Sequence, residues 1–445
     1  MIECPALLVT APASGQGKTT VTAALAHCHR SNGLRVRVFK TGPDFLDPMV
    51  LERASGAPVH QLDLWMGGPA HCADLLHRAA RESDLILVEG VMGLHDGTPS
   101  TADLALHFGL PVLAVIDASA MAQTFGAIAH GLASYRPGLR LAGVLANGVG
   151  SAGHMQMVRE SLPPGMQWYG SLPRGPACAL PSRHLGLVQA DDVDDIDLRI
   201  AAAAQALRGN STLAIPPAVR FDAPVQDDGQ PPDAAPDALA GVAIAVARDA
   251  AFSFLYRANL DTLRALGAAL MFFSPLADEP VPDGADALYL PGGYPELHLP
   301  ALTSNARWRD SVHAHHAAGR PLVAECGGLL ALLESLTDAH DQSAPMLGLL
   351  PGRGVMAERL VNLGMHSLAL PEGEVRGHTF HYARIETTLQ PAQLTQARRQ
   401  HGRAEGVFRD ARLFASFMHM YFASNPTAIA QLFKPSEPGD IRHGH

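Results

Sequence analysis

The stretch Ala11-Pro-Ala-Ser-Gly-Gln-Gly-Lys-Thr-Thr20 limits the fold more than any other part of this chain. It lies between the apolar run Leu7-Leu8-Val9 and a helical pattern over 21–29, so it marks a strand turning into a helix. Glycines at such a corner let backbone N–H groups close on phosphate oxygens, and the helix N-terminus adds positive potential. Ser14, Gly15, Gly17, Lys18, Thr19 and Thr20 are therefore the expected ATP-binding residues. Lys18 would reach the terminal phosphates, and the Thr19 hydroxyl would face Mg2+. Pro12 stands where the usual pattern has its first glycine.

The 445 residues suit two or three domains of about 100–200 residues each. A net charge of −10 and a pI near 6.1 give no electrostatic footprint for nucleic acid or an anionic membrane, so neither is an expected partner. Cys4, Cys28, Cys72, Cys178 and Cys326 are odd in number and form no CxxC pair, which argues against a disulfide framework or a zinc knuckle. A reducing cytoplasm is the expected location. The N-terminus lacks the order of a signal peptide, and no apolar run approaches the roughly 20 residues that span a bilayer. The 22 histidines are scattered without ligand spacing.

Along the first half, carboxylates recur at strand ends. A second strand over 35–40 delivers Lys40-Thr-Gly-Pro-Asp44-Phe-Leu-Asp47-Pro into a loop. Asp44 and Asp47 there suit magnesium beside phosphates, since that ion needs only one or two protein carboxylates; they equally suit Asx-turns next to their prolines. The run over 84–89 carries Glu89 to a sheet edge, followed by Gly90-Val-Met-Gly-Leu-His-Asp96-Gly97, and Glu89 is a natural magnesium partner. Strands over 111–116 and 141–145 end in Asp117-Ala-Ser and Ala146-Asn147. The Asn147 amide either reads a purine edge or caps the next turn. Strands alternating with helices indicate a doubly wound, mostly parallel sheet. Arg183 and His184 are substrate candidates in Leu180-Pro-Ser-Arg-His-Leu-Gly-Leu-Val188. The Pro- and Asp-rich segment 216–237 reads as an interdomain linker, giving a first domain over 1–208, a linker over 209–240 and a second domain over 241–445.

The second half restarts the pattern with a strand over 242–247, a helix over 254–266 and a strand over 269–273. Gly292 and Gly293 follow another strand and can present N–H groups as an oxyanion hole. Pro321-Leu-Val-Ala-Glu-Cys326-Gly327-Gly328 then runs a strand sharply into a helix with cysteine at the corner. Such an elbow exposes a nucleophile and favours its thiolate. Its base should be a histidine distant in sequence. His419, after an apolar strand-like run, is the candidate, with His378 and His381 as rivals.

These motifs, in this order, resemble the cobyrinic acid a,c-diamide synthases, including the hydrogenobyrinic acid version of the aerobic cobalamin pathway. The resemblance rests on Ser-Gly-Gln-Gly-Lys-Thr-Thr, Thr-Gly-Pro-Asp-Phe-Leu-Asp-Pro, Glu-Gly-Val-Met-Gly-Leu-His-Asp-Gly, Arg-His-Leu-Gly-Leu-Val, Pro-Gly-Gly-Tyr-Pro-Glu and Glu-Cys-Gly-Gly. It implies an α/β chain: a P-loop ATPase domain similar to dethiobiotin synthetase, then a flavodoxin-like class I glutamine amidotransferase domain. Cys326 then looks like the glutaminase nucleophile, His419 its activating histidine, and Gly292, Gly293 and Gly327 the oxyanion donors. Thr19, Asp47 and Glu89 resemble magnesium ligands, Asn147 a nucleotide contact, and Lys40, Asp44, Asp96, Arg183 and His184 residues of the acyl-phosphate and corrinoid site. Tyr421 departs from the glutamate common in the pattern, which leaves the group that orients His419 open; Gly148 stands where an arginine is common, which weakens any adenine assignment, and Thr379 stands where glutamate is expected.

The implied reaction consumes ATP and glutamine: a carboxylate of the corrinoid is phosphorylated, and ammonia freed by Cys326 displaces the phosphate. Amidation at other corrin positions or of another tetrapyrrole, a partitioning-type ATPase and a binding scaffold are the competing readings. The oligomeric state stays open, a homodimer among the choices.

Overall fold

Apolar runs in the first half become strands buried on both faces. The computed structural model describes residues 2–175, 194–223, 237–410 and 412–435. Its contacts divide the chain into two units, Met1–Asp227 and Asp228–His445. In the first, β1 (Ile2–Thr10), α1 (Lys18–Ser31), β2 (Val36–Thr41), α2 (Leu46–Ser55), β3 (His60–Leu62), α3 (Gly68–Glu82), β4 (Leu85–Glu89), α4 (Thr101–His107), β5 (Val112–Asp117), α5 (Thr124–Ser134), β6 (Leu141–Val149), α6 (Ala152–Glu160), β7 (Trp168–Pro173), α7 (Ile196–Asn210) and β8 (Ala218–Phe221) follow in chain order.

The sheet runs β3-β2-β4-β1-β5-β6-β7, with these neighbours parallel. Alternation along each strand divides its side chains between two cores. Leu8, Ile86, Val88, Ala114 and Val144 pack with apolar residues of α3, α4, α5 and α6. Leu7, Val9, Leu87, Val115 and Leu145 pack with α1, α2 and α7. Helices thus cover both faces, which is the doubly wound arrangement, and ligands of such sheets bind beyond the strands' C-terminal ends. Register brings those ends level: Val9 pairs with Glu89, Lys40 with Glu89, and Asp117 with Asn147.

One segment corrects the sequence reading. Residues 218–221, assigned to the linker, form β8 and pair antiparallel with the start of β1, from Ile2 against Phe221 to Pro5 against Ala218. Val219 and Phe221 are buried in the core, so burial on the sheet prevails over the flanking prolines that make the segment look like linker.

The second unit contains β9 (Ala243–Ala247), α8 (Arg257–Ala265), β10 (Ala269–Phe273), β11 (Ala287–Leu290), α9 (Leu299–Ser304), α10 (Ala306–Ala317), β12 (Leu322–Glu325) and α11 (Gly327–Leu332). Its seven-stranded sheet runs β10-β9-β11-β12, then Leu413–Ser416, Gly406–Asp410 and Gln393–Leu394. Two four-stranded sheets accompany it. In one, Gly373–His381 pairs with His419–Met420 and sets His378 opposite His419. The helix expected from residue 254 begins at Arg257 instead. Phe254 stays extended because its N–H donates to the Gly292 carbonyl at 2.9 Å, which pins the glycine pair.

Candidate active sites

Strand-to-helix geometry shapes the first site. Gly15 and Gly17 adopt φ of 76° and 87°, the left-handed region that favours glycine, and turn the chain from β1 into α1. Space dictates Gly17 as well, since a Cβ there would lie 2.2 Å from Asn147 Nδ2. The Asn147 amide donates to the Gln16 carbonyl at 3.0 Å, and Gln16 Oε1 accepts the Asp117 N–H at 2.9 Å. Asn147 therefore buttresses the phosphate loop from β6. Ser14 and Gly15 are exposed at the tip, while Thr20 is half-buried in the first turn of α1.

Lys18 is buried and donates to the carbonyls of Ala13 at 3.0 Å and Met92 at 2.7 Å. Burial, together with the nearby Lys40 charge, lowers its pKa. Thr19 Oγ1 lies 3.1 Å from Asp47 Oδ1 and 2.9 Å from Glu89 Oε1. Between the same carboxylates sits the Lys40 ammonium, 2.7 Å from Asp47 Oδ2, 2.7 Å from Glu89 Oε1 and 4.0 Å from Asp44 Oδ2. Burial disfavours that ammonium, yet Asp47, Glu89 and Asp44 outweigh it and raise its pKa. Burial likewise pushes the Glu89 carboxyl up, against the pull of Lys40.

Asp44 does form the Asx-turn, since its Oδ1 accepts the N–H groups of Leu46 at 2.9 Å and Asp47 at 3.0 Å. Asp96 accepts the Gly93 N–H at 2.9 Å, which closes the 90–97 loop against the phosphate loop, where Leu94 N–H meets the Ala11 carbonyl at 2.9 Å. Arg183 and His184 lie outside the described residues.

The second site centres on a strained corner. Cys326 has φ 46° and ψ −103° between β12 and α11, and its N–H donates to the Ser416 carbonyl at 2.8 Å. Close approach explains the surrounding glycines. A Cβ on Gly327 would lie 2.8 Å from Gly293 N, and one on Gly328 would lie 2.1 Å from the Leu290 carbonyl oxygen. A Cβ on Gly292 would lie 2.3 Å from His419 Cε1. The glycine pair thus touches the cysteine corner on one side and the His419 ring on the other.

Each of the two rival histidines has partners of its own. His378 stacks on His419, with centroids 5.0 Å apart at 17°, and its Nδ1 is 2.8 Å from Tyr256 Oη. His381 bonds Glu405 Oε1 at 2.9 Å and the Ala383 carbonyl at 2.8 Å, and stacks on Phe417. Thr379 and Asn362 also donate to Glu405.

Family models match both halves: a CobQ/CobB/MinD/ParA nucleotide binding domain over 7–188 and a CobB/CobQ-like glutamine amidotransferase domain over 243–427. A hydrogenobyrinate a,c-diamide synthase of Stutzerimonas stutzeri is 59% identical over 97% of this chain and 99% of its own. The chain belongs to the cobyrinate/hydrogenobyrinate a,c-diamide synthase family. The Pseudomonas aeruginosa hydrogenobyrinate a,c-diamide synthase is 56% identical over 98% of this chain and 99% of its own. A cobyrinate a,c-diamide synthase of Herminiimonas arsenicoxydans is 50% identical over 96% of each chain.

In this family member, the residue beside the cysteine is the one that sequence reasoning passed over. Glu325 is fully buried; Oε1 accepts the Met420 N–H at 3.0 Å and Oε2 accepts the Tyr289 hydroxyl at 2.8 Å. It therefore ties the strand bearing His419 to β12, the strand that ends just before Cys326. Burial pushes its carboxyl up to about 8, against those two hydrogen bonds. The signal was available: an acidic residue closing an apolar strand, as Glu89 does. Burial also pushes the Cys326 thiol up and, with the nearby His381 charge, His419 down to about 3. No helix among the described residues is long and apolar enough to cross a membrane.

Proposed function

We propose that the chain amidates the a and c acetate carboxylates of cobyrinate or hydrogenobyrinate, using ATP and glutamine, within cobalamin biosynthesis. What carries the reading is that the Gly292–Gly293 pair meets both the His419 ring and the Cys326 corner, in a chain whose other half carries a nucleotide site.

Carboxylates do not take up ammonia unaided, because oxide is a poor leaving group. A substrate carboxylate oxygen attacks the γ-phosphorus of ATP, ADP leaves, and an acyl phosphate forms. Lys18, released from its two carbonyl partners, follows the charge on the transferring phosphoryl group. Asp44, Asp96 and Lys40 border the same strand ends and are assigned to the substrate side, as are Arg183 and His184 on the resemblance alone.

Thr19, Asp47 and Glu89 suit Mg2+. Glu89 Oε2 is buried with no hydrogen-bond partner, and the set offers one hydroxyl and two carboxylates to an ion that keeps several waters. Among the described residues no group of three or more histidine, cysteine, aspartate or glutamate side chains is arranged to hold a metal by itself. When bound, Mg2+ supplies charge neutralisation on the phosphates.

At the second site Cys326 Sγ attacks the glutamine amide carbon while His419 takes the thiol proton and passes it to departing ammonia. The N–H groups of Gly293 and Gly327 face the developing oxyanion, and Gly292 lets the imidazole approach. Water then cleaves the thioester to glutamate, and ammonia displaces phosphate from the acyl carbon. Two rounds give the a,c-diamide.

In the test, Cys326→Ala should lose glutamine-driven amidation and keep ammonia-driven amidation, whereas Lys18→Ala should lose both, with products followed by mass spectrometry. Persistence of the glutamine-driven rate in Cys326→Ala would remove the nucleophile assignment.

A further inference from the structure

The turn after the glycine pair holds a charged group that the scheme above leaves idle. Glu296 lies in the single turn Pro295–His298, and only 7% of its surface is exposed. Pro295, its neighbour, abuts the nucleophile corner: a Cβ on Gly327 would lie 2.9 Å from Pro295 Cδ. Of the charged groups that bear on the Cys326 thiol, Glu296 acts most strongly.

Among the described residues no lysine, arginine or histidine pairs with this carboxyl; the hydrogen bond that bears on its charge comes from its own backbone. The other charge facing it, Asp338, is also acidic. Burial pushes Glu296 up to about 7, so this carboxyl gives up its proton reluctantly. Buried carboxylates are costly unless a cation neutralises them. Glutamine brings one. Once its side-chain amide reaches the sulfur, the only positive charge on the substrate is the α-ammonium, at the far end of a short aliphatic chain.

We infer that Glu296 is the receptor for the α-ammonium group of glutamine, holding the amino-acid end while the amide carbon rests at Cys326 Sγ. The inference depends on the glutaminase reading of Cys326. It makes Glu296 a specificity residue: donors without the α-amino group gain nothing from it, and free ammonia bypasses it.

The experiment compares glutamine with 4-carbamoylbutanoate, which is glutamine lacking the α-amino group, as nitrogen donor for the full-length wild type and Glu296→Gln. Truncating one partner of a buried charge pair typically costs 2–5 kcal/mol, so wild type should prefer glutamine by about 30-fold or more in kcat/KM. Glu296→Gln should lose about that factor with glutamine, keep the wild-type rate with the analogue, and keep ammonia-driven amidation. Equal discrimination in both proteins overturns the inference, as does an equal loss with the two donors. If Glu296→Gln also loses ammonia-driven amidation, the comparison passes to Glu296→Asp. There a reduced preference supports the role and an unchanged one overturns it. Wild type that uses ammonia but neither donor would instead overturn the glutaminase reading.

Discussion

Gly292→Ala isolates the contact on which the second site depends. The added methyl carbon would fall 2.3 Å from His419 Cε1 and 3.0 Å from Nδ1. Carbon atoms rest at about 3.5–4.0 Å, so ring or loop must move by roughly 1 Å. The loop cannot yield freely, because the Gly292 carbonyl is held by Phe254 N–H at 2.9 Å and Gly293 backs onto Ala251, whose oxygen would lie 2.1 Å from a Cβ there. The ring therefore moves away from Gly292. A misplacement of about 1 Å can cost on the order of 100-fold in rate. Glutamine-driven amidation and glutamate release should both drop by about that factor, while ammonia-driven amidation and the melting temperature of the nucleotide half stay near wild type. A folded variant with a glutamine-driven rate within about two-fold of wild type would refute the reasoning, since that small a change corresponds to under 0.5 kcal/mol.

Two further outcomes follow from buried charge. Lys40→Met strands Asp47 and Glu89 without their ammonium, which should cost about 3–5 kcal/mol; without nucleotide, Mg2+ should raise the melting temperature of this variant far more than that of wild type, and equal shifts would count against the shared site. Glu325, with a carboxyl raised to about 8, favours its protonated form in the folded chain, so its contribution is complete below the unfolded value near 4.5 and fades as pH climbs through 8. Glu325→Gln should therefore flatten the loss of stability between pH 5 and 8 by a few kcal/mol, read from melting curves, and parallel profiles would argue against a buried titrating carboxyl.

The sites were more legible in the sequence than the sheets that join them. Lys18, Glu89 and Cys326 announce themselves because each ends an apolar run at a turn, and the sheet collects such ends along one edge. The strand Leu350–Met356 gives no such signal, since Pro351, Gly352 and Gly354 weaken any strand pattern. The choice among His378, His381 and His419 was out of reach for a related reason. It depends on the register that sets His378 against His419 and on the approach of Gly292, both created by pairing across distant segments. β8 was missed because four residues between prolines carry too little alternation to stand out, although they complete the sheet beside β1.

The two sites solve opposite electrostatic problems. Around Lys40 the chain gathers Asp44, Asp47 and Glu89, and the lysine keeps that negative charge tolerable, in the proposed function until a divalent cation and phosphates arrive. Around Cys326 burial raises the thiol and lowers His419, which favours a neutral thiol and a neutral imidazole at rest. A neutral thiol is a poor target for oxidants and a poor nucleophile. In the proposed roles, attack couples proton transfer to His419 with formation of an oxyanion that Gly293 and Gly327 can meet, and that coupling requires the amide carbonyl to be in place. Placing the same cysteine beside a fixed cation would yield a standing thiolate, reactive before glutamine arrives. In the proposed mechanism, the buried corner ties nucleophile activation to the arrival of glutamine.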